Sequence, residues 1–135
     1  MYSLSRRMSM IKKIIMISLL IIIGVSATIF GFKYNTAKHE IASYMEKQGI
    51  KKEDIQKENP LQSWIITREP KRGYFWSYVY IKDEDPSLQY RYWYYDGKVK
   101  FAAVKVLKAS KGNIISEGIE LDSEEKKKLK YPPLD

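Results

Sequence analysis

The chain has 135 residues, enough for one membrane segment and one small folded core and too few for a second domain. Its net charge of +8 is not one surface: Arg6, Arg7, Lys12 and Lys13 precede an apolar run, and without these four the 24 basic residues become 20 against 16 acidic ones, a balance too mild for a nucleic-acid partner. The absence of cysteine excludes disulfides, thiolate metal sites, a cysteine nucleophile and a lipidated cysteine, and leans toward a bacterial surface, where small domains are built without disulfides.

From Ile14 through Phe32 the chain reads IIMISLLIIIGVSATIFGF, 19 residues without a charge. At ~1.5 Å per residue a helix of that length spans about 28 Å, close to a bilayer's hydrocarbon thickness. The four basic residues before it, against Lys33 alone immediately after it, predict a cytoplasmic N-terminus and an outer C-terminal domain. The same features fit a signal peptide cut after Ala27, since Val25-Ser26-Ala27 has a cleavable pattern. Ile29, Phe30 and Phe32 carry the apolar run past that cut and favour a retained anchor. Gly24 and Thr28, and Ala27 and Gly31, are small residues four apart, a spacing that admits a second membrane helix but is also common in any span.

Ala37, Ile41, Tyr44, Met45 and Gln48 recur at three- and four-residue steps and predict an amphipathic helix over 36–48, with Gly49 as its left-handed cap. With no proline or glycine from Phe32 to Gln48, this helix can continue directly from the span as a stiff stalk. A polar connection, KKEDIQKENP, follows. Aromatic and β-branched runs then predict strands at 62–68, 74–82, 88–95 and 98–107, with a fifth near 114–121 weakened by Gly112 and Gly118. The run SEEKKKLK predicts a short exposed helix stopped before Pro132 and Pro133.

The expected fold class is therefore α+β: an N-terminal transmembrane helix, then a short helix packed on a four-stranded antiparallel β-meander. In chain order this gives a basic tail at 1–13, the span at 14–32, an extracytoplasmic domain at 33–122 and a lysine-rich tail at 123–135. Asp96-Gly97 is a two-residue hairpin signal, and it pairs Tyr95 with Lys98, Tyr94 with Val99, Trp93 with Lys100 and Tyr92 with Phe101. Opposed residues share a face, so Tyr92, Tyr94, Val99 and Phe101 form a core face and Arg91, Trp93, Tyr95, Lys98 and Lys100 a wet one. Phe75, Ser77, Val79 and Ile81 match the core face. One helix covers one side of a sheet, so the other side is expected to expose Trp76, Tyr78, Tyr80, Arg91, Trp93 and Tyr95 as a binding face.

These residues resemble a family of short, uncharacterised membrane-anchored proteins of Gram-positive bacteria, domain of unknown function 3139. The likeness lies in the basic start and span, Lys52-Glu53-Asp54-Ile55, Tyr78-Val79-Tyr80-Ile81, the acidic turn from Asp83 to Pro86, Tyr90-Arg91-Tyr92 and Asp96-Gly97-Lys98-Val99, over about residues 6–104. It implies an anchored topology and a Gram-positive origin, and no activity.

No catalytic residues, metal ligands or cofactor site can be named. His39 is the only histidine and reads as a solvated helix residue, without the partners that a zinc site or a triad needs. Asp83, Glu84 and Asp85 lack the spacing and central glycine of a calcium loop and read as a charged turn. Glu124 and Lys128 have the spacing of a helix-surface pair, and the run from Lys126 to Lys128 reads as a solvated face that can touch anionic polymer. The aromatic face is the one feature where a functional reading competes, because tyrosine and tryptophan stack on sugars or peptides while Arg91 meets anions. The competing reading is that the rings pair across strands for stability or are covered by the first and fifth segments. The expectation is a non-catalytic, single-pass membrane protein whose outer module contacts a cell-wall polymer, a peptide or a membrane-protein partner. The alternative is an accessory subunit or regulator of a membrane complex, acting through its span.

Overall fold

The computed structural model describes residues 2–63, 73–108 and 117–134. Contacts divide the chain into two compact units, Met1–Asn35 and Thr36–Asp135. The first unit is the greater part of helix α1, Tyr2–Lys47. Its large apolar side chains between Ile14 and Phe32 are 44–73% exposed. Thr28 Oγ1 donates to the Gly24 carbonyl at 2.9 Å, which satisfies the hydroxyl within the helix. By length and composition this is a helix able to cross a membrane.

The second unit is α+β. The last turns of α1 supply Ala37, Ile41, Tyr44 and Met45 to its core, the stripe expected from the sequence. The helix ends as predicted at Gly49, whose φ of 89° is left-handed. Ile50 N donates to Met45 O at 3.0 Å and Gly49 N to Glu46 O at 2.9 Å, a Schellman closure that brings Met45 and Ile50 into one apolar cluster. A 3₁₀ turn, Lys52–Asp54, leads into β1, Ile55–Glu58. Then come β2 (Gln62–Ser63), β3 (Phe75–Ile81), β4 (Leu88–Tyr95), β5 (Lys98–Lys108), β6 (Glu117–Glu120) and α2 (Ser123–Lys127).

The antiparallel sheet runs β1-β3-β4-β5-β6, with β2 also on β3. It is therefore wider than a four-stranded meander. The added edge, β1, lies in the segment expected to be a polar connection. Its side chains are mostly polar and exposed because it borders the sheet on one side. Residues 64–68 of the first expected strand lie outside the described residues. Of the weak fifth strand expected at 114–121, residues 114–116 lie outside the described residues and Glu117–Glu120 form β6. Gly118 fits there because a Cβ would collide with Val104 Cγ1 and stand 2.8 Å from Lys105 O. The Asp96-Gly97 turn gives the predicted register from Tyr95↔Lys98 to Tyr92↔Phe101. Both turn residues have positive φ, 47° and 76°, as a type I′ turn requires.

On the front of the sheet, Val79, Ile81, Leu88, Tyr90, Tyr92 and Ala103 pack with Ile41 and Ile50. Tyr44 bridges helix and sheet, its ring 5.9 Å from Tyr92 and 6.4 Å from Phe101. The Tyr92 hydroxyl donates to Gln48 Oε1 at 2.8 Å. The segment after α2 lies over the same core rather than forming a solvated tail. Leu129 and Tyr131 pack on it, Gln48 Nε2 donates to Pro132 O at 3.0 Å, and Leu134 N donates to Tyr44 Oη at 3.0 Å. Asp122 caps α2 by accepting from Glu125 N at 2.8 Å. Glu124 pairs with Lys127 at 2.8 Å, one residue short of the expected Lys128.

Burial holds the Tyr90 and Tyr92 phenols well above their ordinary value of 10.0, and the Glu84 carboxylate facing Tyr90 adds to the effect. A raised phenol stabilises the fold fully below pH 10 and loses that contribution as pH climbs above it, because only the unfolded chain releases the proton. Each phenol then costs about 1.4 kcal/mol of stability per pH unit. We expect cooperative unfolding above about pH 10, with tyrosinate absorbance of the two buried phenols rising together with loss of circular dichroism. A smooth titration of every tyrosine with the fold intact would contradict this.

Candidate functional site

The back of the sheet was expected to be a continuous aromatic surface. The structure corrects this at two positions: Trp76 is 6% exposed and Trp93 3%. They face each other across β3 and β4 and form a second apolar cluster with Ala102 and Val104, which lie on the same side of β5. The strand alternation placed both indoles correctly on the back, but that side is a packed layer rather than a wet one. Among the described residues, the Trp76 indole Nε1 is buried without a hydrogen bond, as is Oε1 of Gln62, its neighbour in register.

Beyond the indoles the face becomes polar. Tyr78 is half-buried against Trp76, with ring centroids 5.8 Å apart, and stands edge-on to Tyr80 at 5.9 Å. Arg91 lies opposite Tyr78 on β4. Its Nε donates to Gln89 Oε1 at 2.8 Å, and Gln89 Nε2 donates to the Tyr80 hydroxyl at 2.7 Å. Gln89 was not singled out from the sequence, although its place two residues before Arg91 puts it on the same face. At 2% exposure it is the fixed link that orients the half-buried Arg91 and Tyr80. Tyr95, 42% exposed, lies further along β4 beyond Trp93 and pairs with Tyr74 at 5.1 Å. The six expected residues thus separate into a buried indole pair, a polar group of Tyr78, Tyr80 and Arg91, and Tyr95 at the sheet's end.

The other weighed residues have structural partners or sit on the surface. Asp85 Oδ1 accepts from Ser87 N at 2.9 Å and Ser87 Oγ at 2.7 Å, and Oδ2 lies 3.5 Å from Lys105 Nζ. The serine bonds, then Lys105, hold the Asp85 carboxyl below its ordinary range. Glu84 Oε1 accepts from Lys130 N at 2.9 Å. Asp54, bonded by Lys51 N at 3.0 Å and by the Tyr131 phenol, is likewise lowered, while Tyr131 is raised by burial and by Asp54. These carboxylates tie turns and the C-terminal segment to the core. Among the described residues no three His, Asp or Glu side chains gather as metal ligands. His39 is exposed on α1.

Helix, sheet and site together define a small α+β unit following a helix with an exposed apolar stretch, and the unit carries a hydrogen-bonded Tyr80–Gln89–Arg91 chain on its sheet. The chain belongs to the family described as "Protein of unknown function (DUF3139)", whose model matches residues 10–92. It is similar to an "Uncharacterized 13.4 kDa protein" of Bacillus thuringiensis, 36% identical over 98 residues, which covers 73% of this chain and 81% of that one. No solved structure matches.

Proposed function

We propose that the protein is a membrane-anchored, non-catalytic binding module, held outside the cell by residues 14–32 and contacting a cell-wall polymer or a peptide through Tyr78, Tyr80 and Arg91. The observation that carries this reading is the apolar stretch exposed on every side, which water cannot solvate at acceptable cost and a bilayer can. The basic residues before it favour an inner N-terminus. On the sheet, Gln89 fixes the tyrosine edge and the guanidinium in place before a ligand arrives, so binding loses little side-chain freedom.

Two experiments test the two halves. Because the chain lacks cysteine, a single Lys82→Cys substitution labelled in intact cells by a membrane-impermeant maleimide reports the outer side, and Ser5→Cys should stay unlabelled. The reverse pattern removes the reading. Co-sedimentation of the full chain with purified peptidoglycan is expected to fall several-fold in Tyr80→Ala with Arg91→Ala. Unchanged sedimentation dismisses the polymer as ligand.

A second reading, an accessory subunit acting through its span, rests on Gly24 and Gly31, where open space surrounds the backbone. Replacing residues 14–32 with an unrelated apolar helix separates the two, because a pure anchor tolerates the exchange and an assembly contact does not.

A further inference from the structure

The direction of α1 within the second unit identifies which end of the sheet the chain enters. Tyr44 lies against Tyr92 and Phe101. One turn later Gln48 reaches the Tyr131 carbonyl at 3.4 Å, and Tyr131 N in turn meets the Tyr90 hydroxyl at 3.4 Å. The helix therefore advances from the Tyr94–Val99 end of the sheet toward the Tyr90–Leu88 end. Thr36, two turns before Tyr44, belongs to the end that carries the Asp96-Gly97 turn. The opposite end, with the Asp83–Ser87 turn, is a full β4 strand away, about 25 Å at ~3.4 Å per residue.

At the entry end the surface changes character. Tyr74 and Tyr95 are 44% and 42% exposed, with ring centroids 5.1 Å apart, and Lys98 and Lys100 on the same face are also exposed. Tyr74 N donates to Tyr94 O at 3.2 Å, which fixes the pair to the hairpin. Rings with an apolar body and a polar tip, beside cations, are the chemistry of a lipid headgroup layer. Three residues, and so four Cα–Cα steps, separate Phe32 from Thr36, and they reach at most about 14 Å in any conformation.

We propose that this end of the sheet is a second membrane contact, with Tyr74 and Tyr95 in the headgroup layer and Lys98 and Lys100 at lipid phosphates. It rests on the reading of residues 14–32 as a membrane span. The test uses the full chain in vesicles of phosphatidylcholine and phosphatidylglycerol, carrying one environment-sensitive fluorophore at Lys98→Cys or, in a separate protein, at Lys82→Cys. Headgroup spin-labelled lipid is expected to quench position 98 several-fold more than position 82. Substituting Tyr74→Ser with Tyr95→Ser in the Lys98→Cys protein should abolish most of that excess while the circular dichroism is retained. Equal quenching at the two positions in the parent chain overturns the proposal, as does full quenching in the folded tyrosine variant. Resistance to alkaline extraction, measured on the same vesicles, tells the two failures apart: a chain that is released sinks the span itself, whereas a retained chain with equal quenching sinks only the second contact.

Discussion

Replacing Tyr92 with alanine is expected to destabilise the second unit by about 3–5 kcal/mol, a loss comparable to the whole stability of a small domain. The ring is fully buried, lies 5.9 Å from Tyr44 and 5.4 Å from Phe101, and its hydroxyl occupies Gln48 Oε1. Removing it opens a cavity between helix and sheet and strips one partner from the side chain that also ties the C-terminal segment to α1. Tyr92→Phe keeps the ring and loses only the hydrogen bond, and should cost about 1–2 kcal/mol. Urea unfolding of the full chain in detergent, followed by tryptophan fluorescence, measures both. A phenylalanine variant as unstable as the alanine one would place the energy in the hydroxyl rather than in packing.

The second large effect concerns the apolar stretch. Residues 14–32 contain twelve Ile, Leu, Val and Phe residues, each favouring membrane insertion by about 0.3–0.6 kcal/mol, whereas an arginine near the middle opposes it by about 2.5–3.5 kcal/mol. Leu20→Arg with Ile23→Arg removes two favourable residues and adds about 5–7 kcal/mol of cost, which matches or exceeds everything the other ten supply. The double variant is expected to move from the alkali-resistant membrane fraction to the soluble one, while Leu20→Ile with Ile23→Leu stays. Retention of the arginine variant would show that the stretch is not what holds the protein at a membrane.

Much of the second unit was legible because single residues fix its geometry. Asp96-Gly97 is a turn of two residues, and two residues leave one register, so the pairing down to Tyr92 and Phe101 and the front core face follow from it. Gly49 marks the helix end because only a left-handed residue closes that turn cheaply. Three features were not legible. Strand β1 reads Ile-Gln-Lys-Glu, whose polarity is that of a loop; it becomes a strand because the β3 edge offers it backbone partners. The burial of Trp76 and Trp93 could not be decided from the sequence because alternation sorts residues to sides without saying which side is covered. The placement of residues 129–134 was hidden by surrounding lysines, although Leu129, Tyr131 and Leu134 are apolar residues that such a run does not need if it is solvated. For the candidate site, the face was readable and its division into buried indoles, a Tyr–Gln–Arg chain and an exposed tyrosine pair was not.

The bond from Leu134 N to the Tyr44 hydroxyl joins positions 90 residues apart, and Gln48 reaches 84 residues forward to Pro132. Closing loops of that length is entropically expensive and slow compared with forming a helix or a hairpin. During synthesis the front core therefore stays unsealed until the ribosome has delivered the Tyr131–Leu134 segment, and a stalled or clipped chain exposes Tyr44 and Gln48 to solvent. Quality control by proteases would then meet the Tyr44–Gln48 face of α1 open, with the hairpin already formed and the seal still missing.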